Sequence, residues 1–305
     1  MSGDTTPLNA DYLAAKKSID DRSLNSHVWR ELWHHAPAPP LRVLELGAGI
    51  GTMLERLLER GDLRQAQYTA LDIDPSYLAL AKERIQGWAA AESVQCAPLD
   101  GGLHLKGRDL NLKFRFVTDD ITQGIRDQVG GEWDLLIGNA LLDLVHIPSV
   151  LPELLALLQA GGLFYFSITF DGLTHFEPIL DPELDRTILD HYHQTMDERR
   201  DHGREAGHSQ SGRILLSELQ KAGAGIIAAG GSDWVIHPTD GAYTEDEEVF
   251  LKAILDTMEG ALLQQGVLAK STVQDWINLR RRQVAEAGLI FLTHQLDVCG
   301  RPPNP

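Results

Sequence analysis

The residues best able to do chemistry stand in one short run, Val43-Leu44-Glu45-Leu46-Gly47-Ala48-Gly49-Ile50-Gly51-Thr52. Three alternate glycines allow positive φ and let a ligand approach the main chain closely. A helical pattern begins beyond them, so free N–H groups and the positive end of a helix dipole face the turn. Asp72 lies 21 residues past Gly51, at the end of the next apolar run. A carboxylate placed there can accept hydrogen bonds from both hydroxyls of a ribose. Together these features predict a nucleoside site. The dinucleotide fingerprint G-x-G-x-x-G is absent, because the spacing is G-x-G-x-G and Thr52 stands where the third glycine would be.

These residues need a scaffold, and the apolar pattern supplies one. Leu41–Leu46 reads as a strand and Gly51–Arg60 as a helix, with Leu54, Leu57 and Leu58 on one face and Gly61 ending it. Tyr68–Ile73 reads as a second strand, followed by an N-cap and first-turn proline at Asp74-Pro75. Phe114–Thr118, Trp133–Ile137 and Leu163–Phe170 continue as strands, and Leu289–Val298 as the last. Such alternation predicts an α/β, Rossmann-like doubly wound fold, with a mostly parallel seven-stranded sheet and an antiparallel last strand. Residues 1–40 read as a helical N-terminal arm, and residues 41–305 as the main domain. Residues 91–113 read as an insertion with a hairpin around Gly107, and residues 171–212 as an inserted cap with little strand character. Further helices are marked by Phe250, Ile254, Met258 and Leu262, and by Val273, Trp276, Ile277 and Val284.

The glycine run resembles the first motif of the class I S-adenosylmethionine-dependent methyltransferases, E/D-x-G-x-G-x-G. The resemblance extends over roughly residues 41–170, through Asp72, the Val117-Thr118-Asp119-Asp120-Ile121 stretch, Asp134–Asn139 and Gly161-Gly162. It implies S-adenosyl-L-methionine as cofactor and a small-molecule type of methyltransferase. Gly47, Ala48, Gly49 and Gly51 would pass beneath the methionine moiety, and Glu45 would fix its amino group. Asp72 would bind the ribose, and Ile73 beside it would be a further cofactor contact. Asp120, with Asp119 as the close alternative, would accept from the adenine amino group next to Ile121. Helix capping is the plain alternative for Glu45 and Asp120. Arg22 would meet the cofactor carboxylate if the arm folds over it, or would pair with Asp20 or Asp21.

The acceptor should lie over the carboxyl ends of the fourth and fifth strands. Asn139 offers a polar handle near the methyl group, in both a cofactor-binding and a catalytic role. The following residues, Ala140-Leu141-Leu142, depart from the Asn/Asp-Pro-Pro-Tyr/Phe of enzymes that methylate amide or exocyclic nitrogen. Asp143, Phe170, His191 and Tyr192 are the candidate substrate contacts, and His175 is the preferred base. His191 and His193 would diverge on a helix, so no metal is expected.

Composition narrows the partners. With 27 Lys and Arg against 44 Asp and Glu, the net charge of −17 repels phosphate at long range, so neither nucleic acid nor membrane is an expected partner. Two cysteines make no disulfide framework, and Met-Ser-Gly-Asp shows no secretory signal, so a reducing, cytoplasmic setting is the expectation. The competing readings are an NAD(P)-dependent oxidoreductase and a non-catalytic methyltransferase-like binding module.

Overall fold

The computed structural model describes residues 10–201 and 203–303; the start of the expected arm, residues 1–9, lies outside them. Two helices come first, α1 (Ala10–Ser23) and α2 (Ser26–His35). Asn25 caps α2, its side chain accepting from the N–H groups of His27 and Val28 at 3.1 Å each. Then come β1 (Leu41–Leu46), α3 (Thr52–Arg60), β2 (Gln65–Asp72) and α4 (Pro75–Ala91). Gly51 and Gly61 bound α3 in left-handed conformations, and Leu54, Leu57 and Leu58 are buried on its inner face. Asp74 caps α4 through the Ser76 N–H, with Pro75 in the first turn.

The stretch 91–113 contains β3 (Gln95–Leu99) and β4 (Gly102–Lys106), which precede β5 (Asn111–Thr118). The turn at Gly107 is closed by its N–H on the Leu110 carbonyl (2.9 Å), and it joins β4 to β5. Beyond lie α5 (Arg126–Val129), β6 (Trp133–Asn139), a 3₁₀ turn (Leu142–Leu144), α6 (Ile147–Leu155), β7 (Leu158–Glu177) and α7 (Pro182–Asp197). The small hairpin β8 (Arg200–Asp201) and β9 (Arg204–Glu205) precedes α8 (Ser211–Lys221). The chain ends with β10 (Gly225–Gly231), β11 (Trp234–Ile236), α9 (Glu245–Gln265), α10 (Lys270–Ala285) and β12 (Ile290–Arg301).

The sheet runs β10-β12-β7-β6-β1-β2-β5-β4-β3, with β11 also on β12. Strands β5, β2, β1, β6 and β7 are mutually parallel, and β12 is antiparallel to β7 and β10. This is the Rossmann-like doubly wound arrangement expected, with an antiparallel last strand. It has ten strands where seven were expected, because the β3–β4 hairpin extends the β5 edge and β11 adds to β12. The strand order reverses between β1 and β6, which opens the ligand crevice at their carboxyl ends.

Both ends of the expected fifth strand, Leu163–Phe170, need correction, and one of them redraws the cap. Residues 171–177 are strand, since pairing with β12 carries β7 through Gly172 (φ +81°), where Asp171-Gly172 reads as a break. At its other end β7 begins at Leu158, ahead of the expected Leu163, and holds Gly161-Gly162 at a register shift. The prolonged ends of β7 and β12 support a separate core. There Tyr12 and Ile19 of α1 meet Ile188 and Tyr192 of α7, Phe250 and Met258 of α9, and Trp276 of α10. The cap is thus assembled from four distant helices. The arm is integral to it, while α2 buries Val28 and Leu32 against the α3 side of the sheet. Asp297 on β12 fixes the junction by accepting from the main-chain N–H groups of Asn25 and Ile168, both at 2.8 Å. Among the described residues, no helix is long and apolar enough to cross a membrane.

Candidate donor and acceptor site

The glycine turn leaves β1 at the reversal point. Leu46 lies opposite Leu71 on one side and Gly138 on the other. The turn, Asp72 and Asn139 therefore emerge from the sheet side by side. Gly47, Gly49 and Gly51 all have positive φ, at +62°, +51° and +81°. Asp72 accepts from the Gly49 N–H (2.7 Å) and the Asp74 N–H (2.9 Å), and the Ala48 N–H bonds the Leu71 carbonyl (2.9 Å). Burial raises the Asp72 carboxyl above its ordinary range, and the two N–H groups oppose that rise. Ile73 next to it is 66% exposed, an apolar surface with no cover. Asp119 donates its N–H to the Asp72 carbonyl (3.1 Å), which brings the end of β5 to the same crevice. Asp120 uses Oδ1 to accept from the Thr122 N–H (2.8 Å) and hydroxyl (2.7 Å), so it does cap its turn. Ile121 is buried behind it.

Glu45 lies beneath the turn on the α3 side. The Tyr68 hydroxyl donates to its Oε2 at 2.7 Å. Burial pushes the Glu45 carboxyl up to about 8, against the pull of Tyr68 and of the Arg56 guanidinium. Arg56 is fully buried, is bonded to Asp21 of α1, and keeps an unpartnered Nη2. A cation arriving at Glu45 would restore its charged form. The raised value also has a stability consequence. The folded state holds this proton more tightly than the unfolded chain, so the contribution is full below about 4.5 and is lost as pH rises through about 8. Glu45→Gln should flatten that fall, which is at most about 1.4 kcal/mol per pH unit, in urea unfolding curves measured across this window.

At the other wall, the Ser167 hydroxyl donates to Asn139 Oδ1 (2.9 Å), and Asn139 Nδ2 reaches Asp20 of α1 (3.4 Å). Asp20 is 1% exposed and also takes the Lys16 ammonium and the Trp234 indole N–H (3.0 Å). Ala140 (φ +50°) and Ile168 (φ +53°) flank the Asn139–Ser167 pair. A β-branched residue at positive φ is uncommon and costs on the order of 1–3 kcal/mol, and such strain collects at functional sites. Leu13 of α1 lies over Gly49, with its Cδ1 3.7 Å from where a Cβ would stand. Leu13 thus brings α1 against the turn.

Several sequence expectations are redirected. Arg22 does not face the turn; it donates to Glu247 of α9 (2.6 Å). His175 sits eight residues beyond Ser167 on β7, roughly 25 Å at the usual strand rise. It bonds Glu177 (3.0 Å), so it is removed from Asn139 and is no base there. The strand was expected to end at Phe170, with His175 following it closely; instead β7 runs on through Glu177. Phe170 packs against His193 (5.4 Å between rings), whose Nε2 meets Thr174 Oγ1 at 3.0 Å. Burial lowers the His193 imidazole. Tyr192 is buried, and its phenol is pushed up to about 12, chiefly by that burial. His191, one residue away on α7, has an unpartnered Nδ1. Asp143, in the 3₁₀ turn after β6, interacts electrostatically with Tyr12, Tyr192, Lys16 and Arg199.

Sequence reasoning missed Lys16, Trp234 and Ser167, and weighed Asp20 only as a partner for Arg22. The i,i+4 spacing of Lys16 and Asp20 was the one available signal.

Residues 43–101 match the family described as "Methyltransferase domain". The matched stretch holds Glu45, the three glycines and Asp72, in agreement with the resemblance seen in the motif. No curated protein matches the chain. Among solved structures, the [4+2]-cyclase SpnF is 12% identical, with 87% of this chain and 76% of that chain covered and a TM-score of 0.41. Geranyl diphosphate C-methyltransferase from Streptomyces coelicolor A3(2) is 9% identical, with 95% and 80% covered and a TM-score of 0.43. The cyclopropane synthase MmaA2 from Mycobacterium tuberculosis is 9% identical, with 95% and 94% covered and a TM-score of 0.45.

Proposed function

With residues 43–101 a methyltransferase-domain segment, we propose that the chain transfers a methyl group from S-adenosylmethionine to a small-molecule acceptor. The observation that carries this reading is the turn itself. Three positive-φ glycines lie at the sheet's reversal point, bracketed by a buried Glu45 and by an Asp72 that holds the Gly49 N–H. The residues present fit this donor. The glycines leave the main chain bare, Glu45 offers a desolvated carboxyl for an ammonium group, and Asp72 offers acceptors for ribose hydroxyls. Ile73 supplies an apolar surface for the base, and Asp119 and Asp120 supply carboxylates at its amino edge.

When bound, the donor supplies a methyl group on a cationic sulfonium, and transfer discharges that cation. The chain's own contribution is alignment and exclusion of water, which together can lower a barrier by several kcal/mol. Asn139, fixed by Ser167 and Asp20, holds the floor where the methyl group would pass. Leu13, Lys16 and Trp234 close the roof. The buried Lys16–Asp20 pair keeps this wall polar yet electrically balanced.

Incubating the protein with methyl-labelled donor and a metabolite extract tests the reading. Label should appear in a discrete small molecule. Donor binding without any transfer would instead leave a binding module on a methyltransferase-like fold.

A further inference from the structure

We propose that the acceptor is an amine and that Asp143 is the carboxylate that receives its proton. The inference rests on the donor reading above and deepens it. Asp143 follows Asn139 by four residues, in a turn packed on the glycine run: Leu141 Cδ1 lies 2.8 Å from where a Gly47 Cβ would stand. The turn is fixed from behind. Gly207 packs so closely that an added Cβ would come within 2.5 Å of the Asp143 carbonyl oxygen, and Arg199 Nη1 reaches that carbonyl at 3.5 Å. The Asp143 carboxyl oxygen Oδ1 is shielded from solvent and has no hydrogen-bond partner. The charged and titratable groups that act on it electrostatically are Lys16 and Tyr12 of α1, Tyr192 of α7, and Arg199. Lys16 is already committed to Asp20.

The chemistry of this shielded carboxylate selects among acceptors. An anionic acceptor would confront the carboxylate. An apolar carbon would leave Oδ1 without a partner, at about 1–3 kcal/mol. An alcohol would hold its proton too tightly for a carboxylate to remove. An ammonium group both satisfies Oδ1 and can yield a proton. Burial raises the Asp143 carboxyl, and the same desolvation lowers an ammonium, so the gap between them narrows. The charge of −17 draws cations toward the protein.

The step balances. One N–H bond of the ammonium breaks and its proton passes to Asp143. The freed lone pair forms the N–C bond as the C–S bond breaks, with its electron pair going to sulfur. The products are the N-methylammonium and S-adenosylhomocysteine, and Asp143 releases its proton to solvent.

The test is thermal unfolding of the full chain with saturating S-adenosylhomocysteine. The probes are phenethylamine and ethanolamine, with 3-phenylpropionate and glycolate as matched acids. At least one amine should raise Tm further, and neither acid should. Asp143→Asn should weaken the amine by ~10- to 100-fold while keeping the S-adenosylhomocysteine shift, which also shows that the variant folds. In the wild type the amine shift should fade as pH falls through the raised Asp143 value and the carboxylate is protonated. The proposal is overturned if no amine adds a shift, if an acid binds better, or if the variant binds amine undiminished. An amine shift that survives while S-adenosylhomocysteine gives none would overturn the donor reading and leave amine recognition standing.

Discussion

Gly47→Val should abolish binding of S-adenosylhomocysteine. Gly47 sits at φ +62°, where a β-branched residue is strained, and an added Cβ would lie 2.8 Å from Leu141 Cδ1. The Leu141 methyl group is the far end of a side chain and can turn aside, so the backbone strain at +62° carries most of the penalty. Relief requires the glycine turn to flatten away from its left-handed conformation, and that removes the main-chain surface that a donor would lie on. Calorimetric titration should show no saturable heat while circular dichroism retains the α/β spectrum. Gly87→Ala is the matched control. Gly87 lies inside α4 with nothing within 4 Å of an added Cβ, so alanine should stabilise the protein by about 0.5–1 kcal/mol and leave binding as it was.

Asp72→Ala should have the next largest effect. The carboxylate organises the turn, through Gly49 and Asp74, and on the proposed reading it also takes the ribose hydroxyls. Removing it leaves the Gly49 N–H without its acceptor, at about 1–3 kcal/mol. Hydrogen bonds to a charged group contribute roughly 1.5–3 kcal/mol each, so losing two would weaken donor affinity by about 100-fold or more. The deficit should shrink for a donor analogue that lacks the ribose hydroxyls. An equal deficit for both ligands would mean that Asp72 acts only by shaping the turn.

The sequence was most legible where local rules and tertiary fate agree. The glycine turn, the strand before it and the capped helix after Asp74 need only conformational preference and apolar period, and each lies where those place it. The ends of β7 were illegible for a physical reason. Asp171-Gly172 reads as a loop signal, but pairing with β12, more than a hundred residues later, overrides it. That one misjudged strand end moved His175 from the site to a remote position. The roof was equally hidden. Trp234 joins the Lys16–Asp20 pair only because α1 and β11 meet over the sheet's edge, and no spacing rule links it to residues so far away in the chain. Arg22 shows the converse, since an arginine beside two aspartates found its partner on α9 instead.

The most direct measurement is a pair of calorimetric titrations of the full chain, one with S-adenosylhomocysteine and one with a reduced nicotinamide dinucleotide. The account predicts saturable one-site heat for the first and none for the second. Heat for the nicotinamide coenzyme alone would contradict it.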